Sequence, residues 1–133
     1  MINIIYGLKG SGKTAEIIER ANKKAENGKG CVIYVTDRKD HSVAVLNKAR
    51  FICIQDYGIT CEKCFAPFLK GLIAGNYDIT DVYIDGLARF IGMKVEDMEN
   101  IYKDIDLLSS DHKVDFTFTV SVDKVPDYMK KYI

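Results

Sequence analysis

The chain has 133 residues, 47% of them hydrophobic and 29% charged, which fits one soluble globular domain and excludes a globally disordered chain. Its 19 basic and 19 acidic side chains cancel, so net charge offers no electrostatic argument for a nucleic-acid partner. No apolar run approaches the ~20 residues that span a bilayer, and the first residues carry no basic-then-apolar leader pattern; no membrane association and a cytoplasmic location are expected.

Residues 2–6 (INIIY) form a short apolar run that stops at a glycine loop, as a buried parallel strand would. Residues 14–27 read as a helix with Ile17, Ile18, Ala21 and Ala25 on one face, and Asn27-Gly28 is a helix stop. A second strand follows at 31–35 (CVIYV), then a polar loop at 36–42. Residues 43–48 are expected to form a short helix and 51–54 (FICI) a brief strand. Phe65, Phe68, Leu69, Leu72 and Ile73 fall at i, i+3, i+4, i+7 and i+8, a helical stripe. Pro67 fits that helix only if it begins close by, which makes the Cys61-Glu62-Lys63-Cys64 segment its lead-in.

Residues 81–85 (DVYID) read as a strand ending in an acid. Val95, Met98, Ile101, Tyr102, Ile105 and Leu108 give another helical stripe, and 116–121 (FTFTVS) a last strand with period-two alternation. Pro126 would start a short terminal helix, with Asp123 as a capping candidate. Strands alternating with helices predict an α/β fold: one domain over 1–133, with a mostly parallel five-stranded sheet covered by helices on both faces. Cys31 and Cys53 fall in apolar strands and are expected to be core residues. Cys61 and Cys64 have CxxC spacing, but no second pair completes a zinc site, and His41 and His112 are not spaced as a ligand pair. Free thiols are the expectation.

Parallel strands end on one edge, where open α/β sheets bind ligands. Gly7, Asp37, Asp56, Asp85 and Ser121 each follow a predicted strand and so converge on that edge. The segment Gly7-Leu8-Lys9-Gly10-Ser11-Gly12-Lys13-Thr14 meets GxxxxGK[ST] at every fixed position, after a strand and before an amphipathic helix. Glycines let the backbone turn tightly and bring its N–H groups close to phosphate oxygens. The helix N-terminus adds partial positive charge. Gly7, Lys9, Gly10, Ser11, Gly12, Lys13 and Thr14 are therefore the candidate contacts to a nucleoside triphosphate. Lys13 would neutralise the transferring phosphate and the Thr14 hydroxyl would ligate Mg²⁺.

Asp85 is the candidate second metal residue, since apolar Val82, Tyr83 and Ile84 lead into it; a strand-end capping aspartate is the alternative. Many ATPases follow this acid with a glutamate that activates water, and here the next residue is Gly86. Asp37 is then the first candidate for positioning water and Asp56 the second, although a solvated loop acid is the simpler role for each. Ser121 would sense the γ-phosphate or be a plain turn residue. Arg89 would contact phosphate or a partner, or be merely solvated.

The stretches IIYGLKGSGKT (4–14), GLIAGNYDITDVYIDGL (71–87) and VPDYMKKYI (125–133) resemble a group of small bacterial P-loop ATP-binding proteins. That group is similar to the RecA-like branch of the P-loop NTPase superfamily. The resemblance implies nucleotide binding at 7–14 and a Walker B role for Asp85, and no substrate. The start, with its glycine loop, helix and CVIYVTDR, also looks like a class II thymidine kinase. Gly86 and the single CxxC depart from the catalytic glutamate and zinc lasso of those kinases.

Three functions follow as expectations: Mg²⁺-dependent ATP binding with slow hydrolysis, a non-hydrolysing nucleotide-binding switch or assembly subunit, and a small-molecule or nucleoside kinase. A protein partner or second copy supplying an arginine in trans is physically plausible for a weak hydrolase. ATP is the default over GTP because no guanine-reading motif is present.

Overall fold

The computed structural model describes residues 1–133. The apolar runs pair as strands β1 (Ile2–Gly7), β2 (Cys31–Thr36), β3 (Ala49–Cys53), β4 (Ile79–Asp85) and β5 (Asp115–Ser121). They make one sheet in the order β1-β5-β4-β2-β3, and every pair in it is parallel. The helices are α1 (Lys13–Asn27), α2 (Glu62–Gly75), α3 (Leu87–Ile91) and α4 (Glu99–His112). No helix is long and apolar enough to cross a membrane.

Strand alternation divides the core in two. Ile4, Ile33, Val35, Ile52, Val82, Ile84, Phe116 and Phe118 point to the face covered by α2, α3 and α4, which contribute Phe65, Leu69, Leu87, Phe90, Ile101 and Ile105. Ile5, Val32, Tyr34 and Tyr83 point to the opposite face, where α1 lays down Ile17 and Ala21. The first cluster holds 26 buried residues and the second 8. The α1 face is therefore thin, and its strands can carry buried polar residues: Thr36, Asp85 and Thr119 near the loop, and Thr117 farther down β5.

Several local expectations change. The short helix expected at 43–48 does not form; the chain turns earlier, in a 3-10 helix at Lys39–Val43, and 44–48 are not helical. The β4–β5 connection holds a helix that the sequence pattern hid, α3, only five residues long. The stripe beginning at Val95 is split, with a 3-10 turn at Val95–Asp97 before α4 starts at Glu99. Pro67 sits in the second turn of α2 rather than at its start. Its ring is exposed, and the helix gives up one backbone bond, from position 67 to the Lys63 carbonyl, to accommodate it. The terminal segment is a 3-10 helix, Asp127–Tyr132, entered through Pro126 with no side-chain cap, so Asp123 does not cap it.

The alternation in FTFTVS is real, but it does not separate a wet face from a dry one. β5 lies between β1 and β4, so the Phe set and the Thr set are both buried. The same central placement carries Thr119 into the site described next.

Candidate functional site

Backbone geometry at the end of β1 sets the loop. Gly10 and Gly12 take φ of 85° and 88°, a left-handed conformation that costs other residues about 1–2 kcal/mol. The Ser11 amide bonds back to the Leu8 carbonyl at 3.1 Å. Gly12 caps α1 with no side-chain hydrogen bond, so the first amides of that 15-residue helix have no internal partner. Lys13 is only 9% exposed. Its ammonium donates to the Leu8 carbonyl at 2.8 Å and to the Ser11 hydroxyl at 3.4 Å, inside the curve of the loop.

Alternation and register bring Asp85 to this loop. Asp85 ends β4 on the α1 face, opposite Thr36 on β2. Its Oδ1 accepts hydrogen bonds from the hydroxyls of Thr119 at 2.8 Å and Thr14 at 3.3 Å. Its Oδ2 accepts a longer one from Thr36 at 3.5 Å. Asp85 is 4% exposed, and a buried carboxylate held by hydroxyls at this edge is a hard, all-oxygen donor set. Such a set suits Mg²⁺, which takes one or two carboxylates plus substrate phosphates and keeps several waters, with no need of a protein cage. No cluster of three or more His, Cys, Asp or Glu side chains that could enclose a metal occurs in the structure.

Asp37 follows β2 and meets Arg89 of α3. The guanidinium donates to both carboxylate oxygens, Nη2 to Oδ1 at 2.6 Å and Nε to Oδ2 at 2.9 Å. Nη2 also lies 3.6 Å from Asp85 Oδ2. Burial pushes the Asp37 carboxyl up, but the hydrogen bonds and charge of Arg89 outweigh it, and its net shift is downward. An acid so engaged is a weak base with its lone pairs occupied, which argues against the water-positioning role expected for it. Asp56 is farther out, paired with Lys39 at the surface at 2.9 Å, and does not line the cavity at the loop.

That cavity, of about 290 Å³, is bounded by Lys9, Gly10, Lys13 and Thr14 on the loop side and by Asp85, Arg89 and Ser121 across from it. Its lining carries four cationic side chains (Lys9, Lys13, Arg38 and Arg89) against two acids (Asp40 and Asp85). The excess of positive charge suits a polyanionic ligand. Gly7 and Ser121 are register partners at the ends of β1 and β5. Behind the metal-suited acid, the Tyr34 hydroxyl lies 3.2 Å from His41 Nδ1. Burial, and then the charge of Asp85, push the Tyr34 hydroxyl well above the usual tyrosine range, so it stays protonated.

Thr36, Thr119 and His41 were not singled out from sequence. For the threonines a signal existed: each lies on the face of its strand that Asp85 shares, a relation set by register and invisible without the strand order. Arg89 reads as a lone residue in the sequence, because its partner lies 52 positions away.

Arg89 also accounts for Gly86. Gly86 has φ of 86°, and a Cβ there would meet Arg89 Nη2 at 2.2 Å. Gly86→Ala is expected to cost about 1–2 kcal/mol, from the left-handed backbone and from displacing the guanidinium off Asp37. In chemical denaturation the loss should be non-additive with Arg89→Ala; full additivity would contradict the packing account.

The ion pair has a pH signature. The folded-state pKa of Asp37 is depressed, so its contribution is present above the ordinary carboxylate range and is lost as pH falls through the folded value. Arg89 is 44% exposed, which limits that contribution to about 0.5–1 kcal/mol. The stability difference between wild type and Arg89→Ala should therefore be present at neutral pH and close below about pH 4, as read by urea melts. A difference that stays constant down to pH 2 would rule this out.

A comparison with protein-family models gives no match for this chain, and a comparison with curated proteins gives no relative.

Proposed function

We propose that this protein is a Mg²⁺-dependent ATP-binding protein of the RecA-like P-loop NTPase type that hydrolyses ATP slowly. The observation that carries this is the hydrogen bond from the Thr14 hydroxyl to Asp85 at 3.3 Å. It joins the residue after the loop lysine to the acid ending a second strand, the two groups that hold the metal in P-loop sites.

The loop amides and the uncapped N-terminus of α1 would bind the phosphates, and Lys13 would leave the Leu8 carbonyl to bond them. Thr14 and Asp85 are the residues that would hold Mg²⁺, which when bound supplies positive charge against the β and γ phosphates. Thr119 and Thr36 orient the Asp85 carboxylate. Ser121 and Arg89 line the same cavity and would contact the terminal phosphate.

Slowness follows from what flanks Asp85. Gly86 offers no carboxylate beside Asp85, and Asp37 is bound to Arg89, so neither position expected to activate water supplies a free acid; Asp40, the other acid lining the cavity, lies exposed on the 3-10 turn after β2. The same observation favours the second reading, a nucleotide-binding switch or assembly subunit that does not hydrolyse, with any further arginine or base supplied by a protein partner or a second copy. Phosphate release from Mg·ATP separates the two. Wild type is expected to release phosphate slowly but measurably above Lys13→Ala. Equal rates for the two proteins, with binding intact in wild type, would establish the non-hydrolysing reading.

A further inference from the structure

Away from the phosphate loop, the start of α2 carries chemistry that nucleotide binding does not use. Cys61 is the N-cap of this 14-residue helix and Cys64 its third residue. Their sulfurs are 2.8 Å apart. Residues three apart in the first turn of a helix lie roughly 5 Å apart at Cα, within the span of a disulfide. Cys61 is exposed, Cys64 and Cys31 are both half-buried, the latter at the start of β2, and Cys53 is buried in β3.

We propose that Cys61 and Cys64 form a redox-active dithiol that exchanges with small-molecule disulfides, with Cys61 attacking and Cys64 resolving. The inference is independent of the nucleotide site.

The order of events follows from position. Cys61 sits outermost, beside helix amides that no side chain caps, and a helix N-terminus favours thiolate. The hydrogen bond between the two sulfurs holds the Cys61 pKa below the ordinary thiol value and pushes the Cys64 pKa up. The Cys61 thiolate attacks one sulfur of the disulfide, RSSR. The S–S bond breaks and RS⁻ leaves to take up a proton as RSH. Cys64 then loses its proton and attacks the Cys61 sulfur of the mixed disulfide, expelling the second RS⁻, which that proton converts to RSH. Two protein thiols are oxidised to one disulfide and RSSR is reduced to two thiols. No third metal-ligating side chain gathers at the pair.

The test is oxidised glutathione added anaerobically to the full chain, read by intact mass and peptide mapping after alkylation. Wild type should lose two hydrogens and link Cys61 to Cys64, leaving Cys31 and Cys53 alkylatable. Cys64→Ser should trap a glutathione adduct on Cys61. Cys61→Ser should form an adduct on Cys64 more slowly, as expected of the less exposed thiol set inside the first turn of the helix. Both positions are at the surface, and unchanged circular dichroism confirms folded variants. Four free thiols in treated wild type, preferential oxidation of Cys31 or Cys53, or equal adduct rates in the two variants would each overturn the proposal.

Discussion

Lys13→Ala is expected to abolish phosphate release and to weaken Mg·ATP binding by roughly 10- to 100-fold, the equivalent of one or two charge-assisted hydrogen bonds. Lys13 is 9% exposed and its ammonium is held by acceptors of its own loop, so it is already positioned where the loop would curve round the phosphates. Its truncation removes the one cation that the loop buries, while Lys9 stays at the exposed rim. The fold should survive, because the bonds lost are two local contacts within residues 8–13. Thermal melting of the variant close to wild type would confirm that the lost binding is local. Unchanged affinity in a folded Lys13→Ala protein would show that the loop does not bind phosphate.

The second large effect is expected at Asp85. Asp85→Asn preserves shape and one acceptor oxygen, so Thr119 and Thr14 can still donate. It removes the charge that would hold Mg²⁺ and turns an N–H pair toward the hydroxyls or toward Arg89. Wild-type affinity for ATP should fall about 10-fold or more when Mg²⁺ is chelated, on the scale of one charge-assisted interaction. In Asp85→Asn the affinities with and without Mg²⁺ should coincide. A variant that kept the full wild-type response to Mg²⁺ would place the metal elsewhere.

The strongest sequence signals were those with a local cause. The glycine loop, its flanking strand and helix, and the acid at the end of DVYID need only near neighbours to be recognised, and the structure places them at one edge of an all-parallel sheet. Helices with long apolar stripes were also legible, since Phe65, Leu69 and Ile73 bury as their spacing requires. What escaped was either short or non-local. α3 has five residues, too few for a period to emerge. Pro67 lies on the exposed side of α2, where burial of the opposite face outweighs one missing backbone bond. The Thr36–Asp85–Thr119 grouping depends on β4 lying between β2 and β5, a fact of strand order that no single segment contains. The Asp37–Arg89 pair likewise exists only once β2 and α3 are brought to the same edge, and it changes Asp37 from a free base candidate into the partner of a cation.

The most direct test of nucleotide binding is titration calorimetry of nucleotide-free wild type with Mg·ATP and, in parallel, Mg·GTP. The account predicts saturable binding at one site per chain, stronger for ATP and weakened when Mg²⁺ is chelated. No heat of binding with either nucleotide, from protein shown to be folded and nucleotide-free, would contradict it.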